Sequence, residues 1–205
     1  MGDEAAGKPP VVILREETNV TSGTAVQEKL IAAARVFADL LRPTYGPRGL
    51  DKMMYKTDGT TAVTNDGAKI VAELMVKHPA AKMFVAMAES QETSCGDGVT
   101  GTLLFSAELL IEANRLLQKG LHPLTVIEGY NQANITALET ISTLSTECSP
   151  ADLENVAKTA LIGKGAEGAS NHLSEIIVEA LQTVEGDPDY ITMHKTNSGS
   201  LLDSK

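Results

Sequence analysis

Residues Ser94–Thr102, "SCGDGVTGT", hold three glycines and one carboxylate within six positions, directly before an apolar helical pattern. Glycines allow a loop to turn its backbone N–H groups inward around an anion, and a following helix adds the positive end of its dipole. Asp97 would repel a bare phosphate, so its presence indicates a Mg²⁺ ion between the two. The stretch predicts a phosphate- and magnesium-binding loop. For the loop alone, a tight helix–helix turn with Asp97 as a plain N-cap is an equally good interpretation.

Gly96–Gly101 also spells G-x-G-x-x-G, the pattern of dinucleotide-binding loops. Such a loop needs a buried strand before its first glycine and an acidic residue at the end of a second strand. Here the polar segment AESQETSC precedes the loop, and the next acidic residues, Glu108 and Glu112, fall within a helical pattern. A Walker A loop would need a lysine after its last glycine, which this loop lacks. A nicotinamide-dependent oxidoreductase is therefore only a third-ranked interpretation.

The composition of the chain favours some classes of protein and argues against others. The 205 residues are 42% hydrophobic but only 3% aromatic, without tryptophan, which favours a core of packed helices over a β-sandwich. The net charge of −10 argues against nucleic acid as a partner, because phosphate backbones are bound by clustered Lys and Arg. Cys95 and Cys148 lie far apart and suit a reducing compartment. Without a secretory leader pattern or an apolar run of membrane-spanning length, the sequence predicts a soluble cytoplasmic protein with no membrane partner.

Hydrophobic periodicity and chain breakers predict mostly helices. A hairpin with a type I′ turn at Asp58-Gly59 is the main exception, since the flanking residues alternate as strands. Short strands are also predicted at Val11–Leu14 and Tyr190–His194. The first predicted helix begins near Thr21–Gly23 and ends before Pro43. The second begins after Asp66 and ends near Met75. The others cover Pro79 to about Glu92, Leu103 to Gly120, Pro123 to about Leu144, a short stretch after Ser149-Pro150, and Asn171–Val184.

Six motifs follow one another in a fixed order. They are YGPRGLDKMM (45–54), TNDGAKIV (64–71), HPAAKMFV (78–85), GDGVTGTLL (96–104), GLHPLTVIEGY (120–130) and GKGAEG (163–168). In this order they resemble the group II chaperonins, the family of the archaeal thermosome and the eukaryotic cytosolic chaperonin subunits. The resemblance extends from about Thr21 to Ser204. It implies a mainly α-helical equatorial domain with one β-hairpin, followed by part of an intermediate domain.

The resemblance also implies roles for individual residues. Asp97 matches the magnesium-binding aspartate, and Asp66 matches a catalytic carboxylate that orients the attacking water. Lys164 matches a lysine that senses the γ-phosphate of ATP. The remaining matches are nucleotide-binding: Gly46, Pro47 and Gly49 in a loop along the nucleotide, and Gly96, Gly98 and Thr100 in the phosphate cradle, where Val99 and Gly101 replace the threonines that relatives usually carry.

The function implied by the resemblance is ATP- and Mg²⁺-dependent folding of unfolded protein clients inside a double ring of chaperonin subunits. The expected division is a flexible segment at 1–20, the first equatorial part at 21–148, the first intermediate part at 149–188 and the start of an apical domain at 189–205. Family subunits are more than twice this length, and the half that supplies another catalytic carboxylate is not encoded here, which leaves ATPase activity open. The alternative is a truncated, non-hydrolysing assembly module that docks on full-length subunits through its N-terminal strand and hairpin.

Overall fold

The computed structural model describes residues 20–55 and 59–205. In these ranges the chain forms seven α-helices and one antiparallel hairpin, so the predicted mainly α fold with a single hairpin is confirmed. Short 3₁₀ turns join some of these elements. The elements are α1 (Thr24–Leu41), β1 (Lys52–Tyr55), β2 (Thr61–Thr64), α2 (Gly67–Glu73), α3 (Pro79–Cys95), α4 (Val99–Gln118), α5 (Pro123–Leu144), α6 (Pro150–Leu161) and α7 (Ser170–Thr183).

The hydrophobic core lies where α1, α3 and α4 pack together with α2 against them. Phe37 of α1 stacks on Phe84 of α3, with ring centroids 4.9 Å apart. Aliphatic residues and alanines complete the core, as expected for a chain with few aromatics. The fully buried side chains include Leu41, Ile70, Val71, Phe84 and Leu103. This packing fixes the ends of α1, α2, α3 and α4 relative to one another.

Local sequence sets several helix starts. His78 and His122 each precede a proline at the first helical position, and each ring accepts a backbone N–H through Nδ1 at 3.2 Å. Ser149 and Asp152 form a capping box at the start of α6, and their hydrogen bonds hold the pKa of Asp152 below its ordinary value. The four predicted helix starts at Asp66, Pro79, Pro123 and Pro150 are thereby confirmed.

The predicted hairpin is present, and its register pairs Tyr55 with Thr61 and Lys52 with Thr64. The type I′ turn predicted at Asp58-Gly59 includes Asp58, which lies outside the described residues together with the rest of 56–58.

The predicted strand at Tyr190–His194 is wrong. Tyr190 ends a 3₁₀ turn, Pro188–Tyr190, and the Asp187 side chain caps this turn by accepting the Asp189 N–H. Residues 191–194 have no ladder partner, because β1 and β2 pair only with each other in the described ranges. The predicted strand Val11–Leu14 and the flexible segment predicted at 1–20, except Val20, lie outside the described residues.

Outside the core, the α6–α7 pair and helix α5 differ in their packing. Helices α6 and α7 pack on each other, and His172 of α7 contacts the Ser204 carbonyl at 2.9 Å through Nε2. Helix α5 buries only Val126, and Tyr130 joins it to α4 by donating a 2.6 Å hydrogen bond to the Leu109 carbonyl. Burial and the nearby Glu112 charge raise the pKa of Tyr130. The rest of α5 leaves a row of apolar side chains exposed: Leu124, Ile127, Ile135, Leu138, Ile141 and Leu144.

Candidate functional site

A cleft of about 280 Å³ opens where four segments of the chain meet. These are the turn after α1, the start of α2, the loop between α3 and α4, and the segment after α6. Its lining residues are Thr44, Tyr45, Gly46, Asn65, Asp66, Gly67, Glu92, Gly96, Asp97, Gly98, Val99, Thr100, Gly101, Ile162 and Lys164. Residues distant in sequence are thus brought to one concave site.

The loop between α3 and α4 reverses the chain in three residues. Gly96 ends α3 with φ +67°, and Gly98 begins α4 with φ +81°, a left-handed conformation that favours glycine. Asp97 stands between them, and its Oδ1 accepts the Gly98 N–H at 2.7 Å. Gln91 anchors the loop by donating to the Asp97 carbonyl at 2.9 Å. The second carboxylate oxygen of Asp97 is not used in these contacts and is available to a cation.

The start of α4 offers backbone donors to the cleft. Its N-cap is Gly98, which has no side chain to satisfy the free N–H groups of the first turn. Thr100 and Gly101 line the cleft at this turn. Val99 is only 4% exposed and packs in the core, so its side chain is directed away from solvent and its main contribution to the cleft is backbone. The free donors and the helix dipole together favour an anion here.

Helix α2 begins beside α4. Asp66 is its N-cap, with Oδ1 accepting the Ala68 N–H at 3.1 Å, so its second oxygen remains available for another contact. The next residue, Gly67, is buried against Thr100, and a Cβ at position 67 would lie 2.1 Å from Thr100 Oγ1. The absence of a side chain at Gly67 therefore brings Asp66 close to the first turn of α4.

The turn after α1 closes a third side of the cleft. Gly46 adopts φ +87°, and Gly49 folds back so closely that a Cβ there would lie 2.2 Å from the Thr44 carbonyl oxygen. The Leu50 N–H donates to the Pro43 carbonyl at 2.9 Å and holds the turn together. Gly46 lines the cleft, whereas Pro47 and Gly49 do not and instead shape the turn that carries Gly46.

Lys164 approaches from the segment after α6. Gly163 has φ +73°, and the Asn65 side chain lies 3.5 Å from its carbonyl, which links this segment to the start of α2. Across the described part of the chain, the ammonium of Lys164 makes no ion pair. It is the cation among the lining residues and is therefore suited to an anionic ligand.

Nine of the eleven residues predicted for the site line this one cleft: Gly46, Asp66, Gly96, Asp97, Gly98, Val99, Thr100, Gly101 and Lys164. Their chemical roles stay predictions. Sequence reasoning missed six lining residues. Tyr45, Asn65 and Gly67 stood inside the quoted motifs and Thr44 beside one, whereas Glu92 and Ile162 reach the cleft only through helix packing.

The donor set fits Mg²⁺ bound together with phosphate rather than a metal bound by protein alone. Among residues 20–55 and 59–205, no group of three or more His, Cys, Asp or Glu side chains converges as a metal site. Mg²⁺ in nucleotide sites takes one or two carboxylates and completes its octahedron with water and phosphate oxygens. Asp97, beside the donors of α4, can supply such a carboxylate.

The model of the TCP-1/cpn60 chaperonin family matches residues 37–205, which is most of the chain. The chain belongs to this family. Thermosome subunit alpha of Halobacterium salinarum is 40% identical over 206 residues, an alignment that covers 97% of this chain and 37% of the relative. Thermosome subunit alpha of Methanothermobacter thermautotrophicus is 39% identical and covers 98% of this chain and 38% of the relative.

The similarity to archaeal thermosome subunits places this chaperonin chain in group II and confirms the resemblance inferred from the six motifs. The thermosome subunit of Methanocaldococcus jannaschii is 38% identical and shows the same partial coverage, with 96% of this chain and 38% of the relative aligned. The chain thus spans less than two fifths of the length of these relatives. Within the described ranges, none of its helices has the length and apolar character needed to cross a bilayer.

Proposed function

We propose that this chain is the nucleotide-binding portion of a group II chaperonin subunit and that its cleft binds ATP with Mg²⁺. One observation carries the proposal. The starts of α2 and α4 meet at Gly67 and Thr100, with the carboxylates of Asp66 and Asp97 beside them and Lys164 lining the same cleft. Donors for phosphate, a ligand for a cation and a free ammonium are thereby gathered around about 280 Å³.

The residues that line the cleft would have separate roles in binding phosphate, Mg²⁺ and the attacking water. Thr100 and the first-turn N–H groups of α4 hold phosphate oxygens, and Asp97 holds Mg²⁺, which supplies charge neutralisation and Lewis acidity. Asp66 keeps one oxygen on the Ala68 N–H, and its other oxygen can accept a proton from the attacking water. Because the cap fixes the carboxylate, the water would be oriented without additional ordering of the side chain.

In the larger assembly, this chain would contribute to a double ring that encloses unfolded clients and closes on ATP. We assign residues 21–148 to the equatorial domain, 149–188 to the intermediate domain and 189–205 to the start of an apical domain. The assignment is supported by the separate packing of α6 on α7 and by the position of Lys164 beyond α6, at the edge of the cleft.

Calorimetric titration of the purified chain with MgATP, and with ATP in excess chelator, tests the proposal. We expect binding that requires Mg²⁺, because the Asp97 carboxylate would repel the phosphates unless a cation lies between them. We expect little steady phosphate release from the isolated chain, because the family resemblance places a further catalytic carboxylate in a half not encoded in these 205 residues. An absence of MgATP binding at millimolar concentration would refute the proposal.

Lys164→Ala is expected to reduce the preference for ATP over ADP while leaving ADP affinity unchanged. Lys164 has no ion pair in the described part of the chain and lines the same cleft as the proposed phosphate loop, so the γ-phosphate would be its added partner. The affinity for MgATP should fall by about 1 kcal/mol, as for loss of one charge-assisted contact at an exposed site. Parallel titrations with MgATP and MgADP measure it, with Lys158→Ala on α6 as the control. Equal losses for both nucleotides would contradict γ-phosphate sensing.

The second candidate is a non-hydrolysing assembly module that docks on longer chaperonin subunits. The exposed surface of the hairpin favours it, since Met53, Tyr55 and Val63 are each more than 60% exposed. The apolar row of α5 adds a second exposed apolar surface. Sustained ATP turnover by the isolated chain would favour the first candidate, whereas stable capture by a full-length thermosome subunit without turnover would favour this one.

Leu138→Lys on α5 is expected to reduce self-association without lowering thermal stability. Leu138 is 59% exposed near the middle of the apolar row, so a charge there interrupts the row while removing little buried area. Light scattering of the two proteins over a concentration series measures the change. Glu139→Lys, which adds a positive charge beside the row, is the matched control. If both variants associate like the parent, the α5 row is not the associating surface.

A further inference from the structure

We propose that Tyr45 is a phosphate-binding residue of the cleft and that its phenol supplies a hydroxyl donor over the first turn of α4. The inference rests on the proposed nucleotide site and adds a residue to it that the motif comparison did not assign. It depends on three observations: the fixed backbone of Tyr45, the contact of its ring with Gly101, and the free state of its hydroxyl.

The backbone at Tyr45 is held from both sides. Thr44 before it is buried, and its hydroxyl donates to the Leu41 carbonyl at 2.7 Å. The Tyr45 N–H donates to the Arg42 carbonyl at 3.3 Å, and Gly46 after it turns with φ +87°. The ring itself is not buried: Tyr45 is 60% exposed and lines the cleft. An exposed ring on a fixed backbone, directed into a polar cleft, is placed for a ligand rather than for the core.

The ring lies against Gly101. A Cβ at position 101 would be 3.5 Å from the Tyr45 hydroxyl oxygen and 3.6 and 3.8 Å from two ring carbons, which is van der Waals contact. Gly101 is the third residue of α4, within the turn whose N–H groups lack intrahelical partners. A Cβ would fit at these distances, and the absence of any side chain at Gly101 leaves this turn of α4 open to the ring. A longer side chain at 101 would take the place that the phenol occupies.

The hydroxyl of Tyr45 is free to meet a ligand. In the described part of the chain it makes no hydrogen bond, in contrast to Tyr130, whose hydroxyl donates to the Leu109 carbonyl at 2.6 Å. A phenol has one O–H to donate, and phosphate oxygens are acceptors only. Thr100 supplies the other side-chain hydroxyl at this turn. Tyr45 would therefore take the place of a hydroxyl that neither Val99 nor Gly101 can provide.

The test compares Tyr45→Phe with the parent, using two magnesium-bound probes: ATP, and inorganic tripolyphosphate, which has phosphates but no base. The variant keeps the ring and removes only the hydroxyl. We expect the affinity for both probes to fall about three- to tenfold, the effect of one lost hydrogen bond. Tyr190→Phe, an exposed tyrosine outside the cleft, should leave both affinities unchanged. Thermal melting of each variant should match the parent, since no internal hydrogen bond is removed.

Each other outcome has a separate meaning. If the parent binds MgATP and Tyr45→Phe binds each probe as tightly as the parent does, the hydroxyl does not contact phosphate and the inference is wrong. If Tyr45→Phe binds ATP normally but Tyr45→Leu loses ATP and retains tripolyphosphate, the ring contacts the base and the inference is also wrong. If the parent binds neither probe, the proposed nucleotide site fails, and the role of Tyr45 fails with it.

Discussion

Asp97→Ala is expected to abolish Mg²⁺-dependent nucleotide binding while leaving helix content unchanged. Asp97 is the carboxylate held within the proposed phosphate loop, between two glycines with positive φ, and one of its oxygens has no hydrogen-bond partner in the described part of the chain. Loss of outer-shell partners of a bound metal typically costs about 10–100-fold in affinity, and loss of a ligand itself should exceed that range. Without the metal, the added negative charge of the nucleotide is also less well compensated.

Calorimetry with MgATP on the parent and the variant measures this loss, and circular dichroism monitors the fold. The carboxylate of Asp97 also accepts the Gly98 N–H at 2.7 Å, so a loop hydrogen bond worth about 1 kcal/mol is lost as well. Asp97→Asn separates the two roles, because the amide oxygen can keep this hydrogen bond while the metal ligand is weakened. Asp39→Ala, on the exposed side of α1, is the control for charge alone. Equal MgATP affinity in the Asp97→Ala protein would show that Asp97 only holds the loop through its hydrogen bond to the Gly98 N–H and that it binds no metal.

Much of the helical framework could be predicted because its boundaries are set locally. Proline at the first helical position, with a capping side chain before it, determines the starts of α3, α5 and α6. Gly96, in the left-handed conformation at the end of α3, stops that helix at Cys95, three residues beyond the predicted end at Glu92. These signals need no knowledge of the rest of the chain, so sequence alone is sufficient for them.

Features that depend on distant partners were predicted less well. The strand predicted at Tyr190–His194 had suitable side chains but no neighbouring strand to supply its hydrogen bonds. The hairpin was predicted, but its register depends on which residues pair across it, and Tyr55 faces Thr61. Alternation alone does not distinguish such registers.

In the site, too, residues that belong to local sequence patterns were predicted, whereas residues that reach the cleft through packing were not. The glycine loop and the Asp66 cap are local patterns, and both were recognised. Burial of Val99 in the core was not evident, because a loop motif does not show on which side of the new helix the first side chain lies. Glu92 and Ile162 reach the cleft only because α3 and the segment after α6 converge on it. Their presence follows from packing, which a single sequence does not specify.

Gly67→Ala is expected to destabilise the protein and to weaken nucleotide binding together. The new Cβ would lie 2.1 Å from Thr100 Oγ1, and also 3.1 Å from the Cβ and the backbone N of Thr100. Rotation of the threonine could relieve the first contact but not the other two, so α2 and α4 must separate slightly. Overpacking of this kind costs about 1–3 kcal/mol. Thr100 lines the cleft at the proposed phosphate-binding turn, so its displacement should also lower MgATP affinity.

Gly129→Ala is the matched control, because it makes the same chemical change inside a helix where the added Cβ meets nothing within 4 Å. Alanine is favoured over glycine in a helix by about 1 kcal/mol, so Gly129→Ala should raise the melting temperature while Gly67→Ala lowers it. Denaturant unfolding and MgATP titration of both variants measure the two effects. If Gly67→Ala were as stable as the Gly129→Ala protein, α2 and α4 would not touch at this point. Asp66 would then have no fixed position beside the phosphate turn. A loss of stability with full MgATP affinity would instead place the bound phosphate away from Thr100, because the contact that stabilises the fold would be separate from the contact that binds the nucleotide.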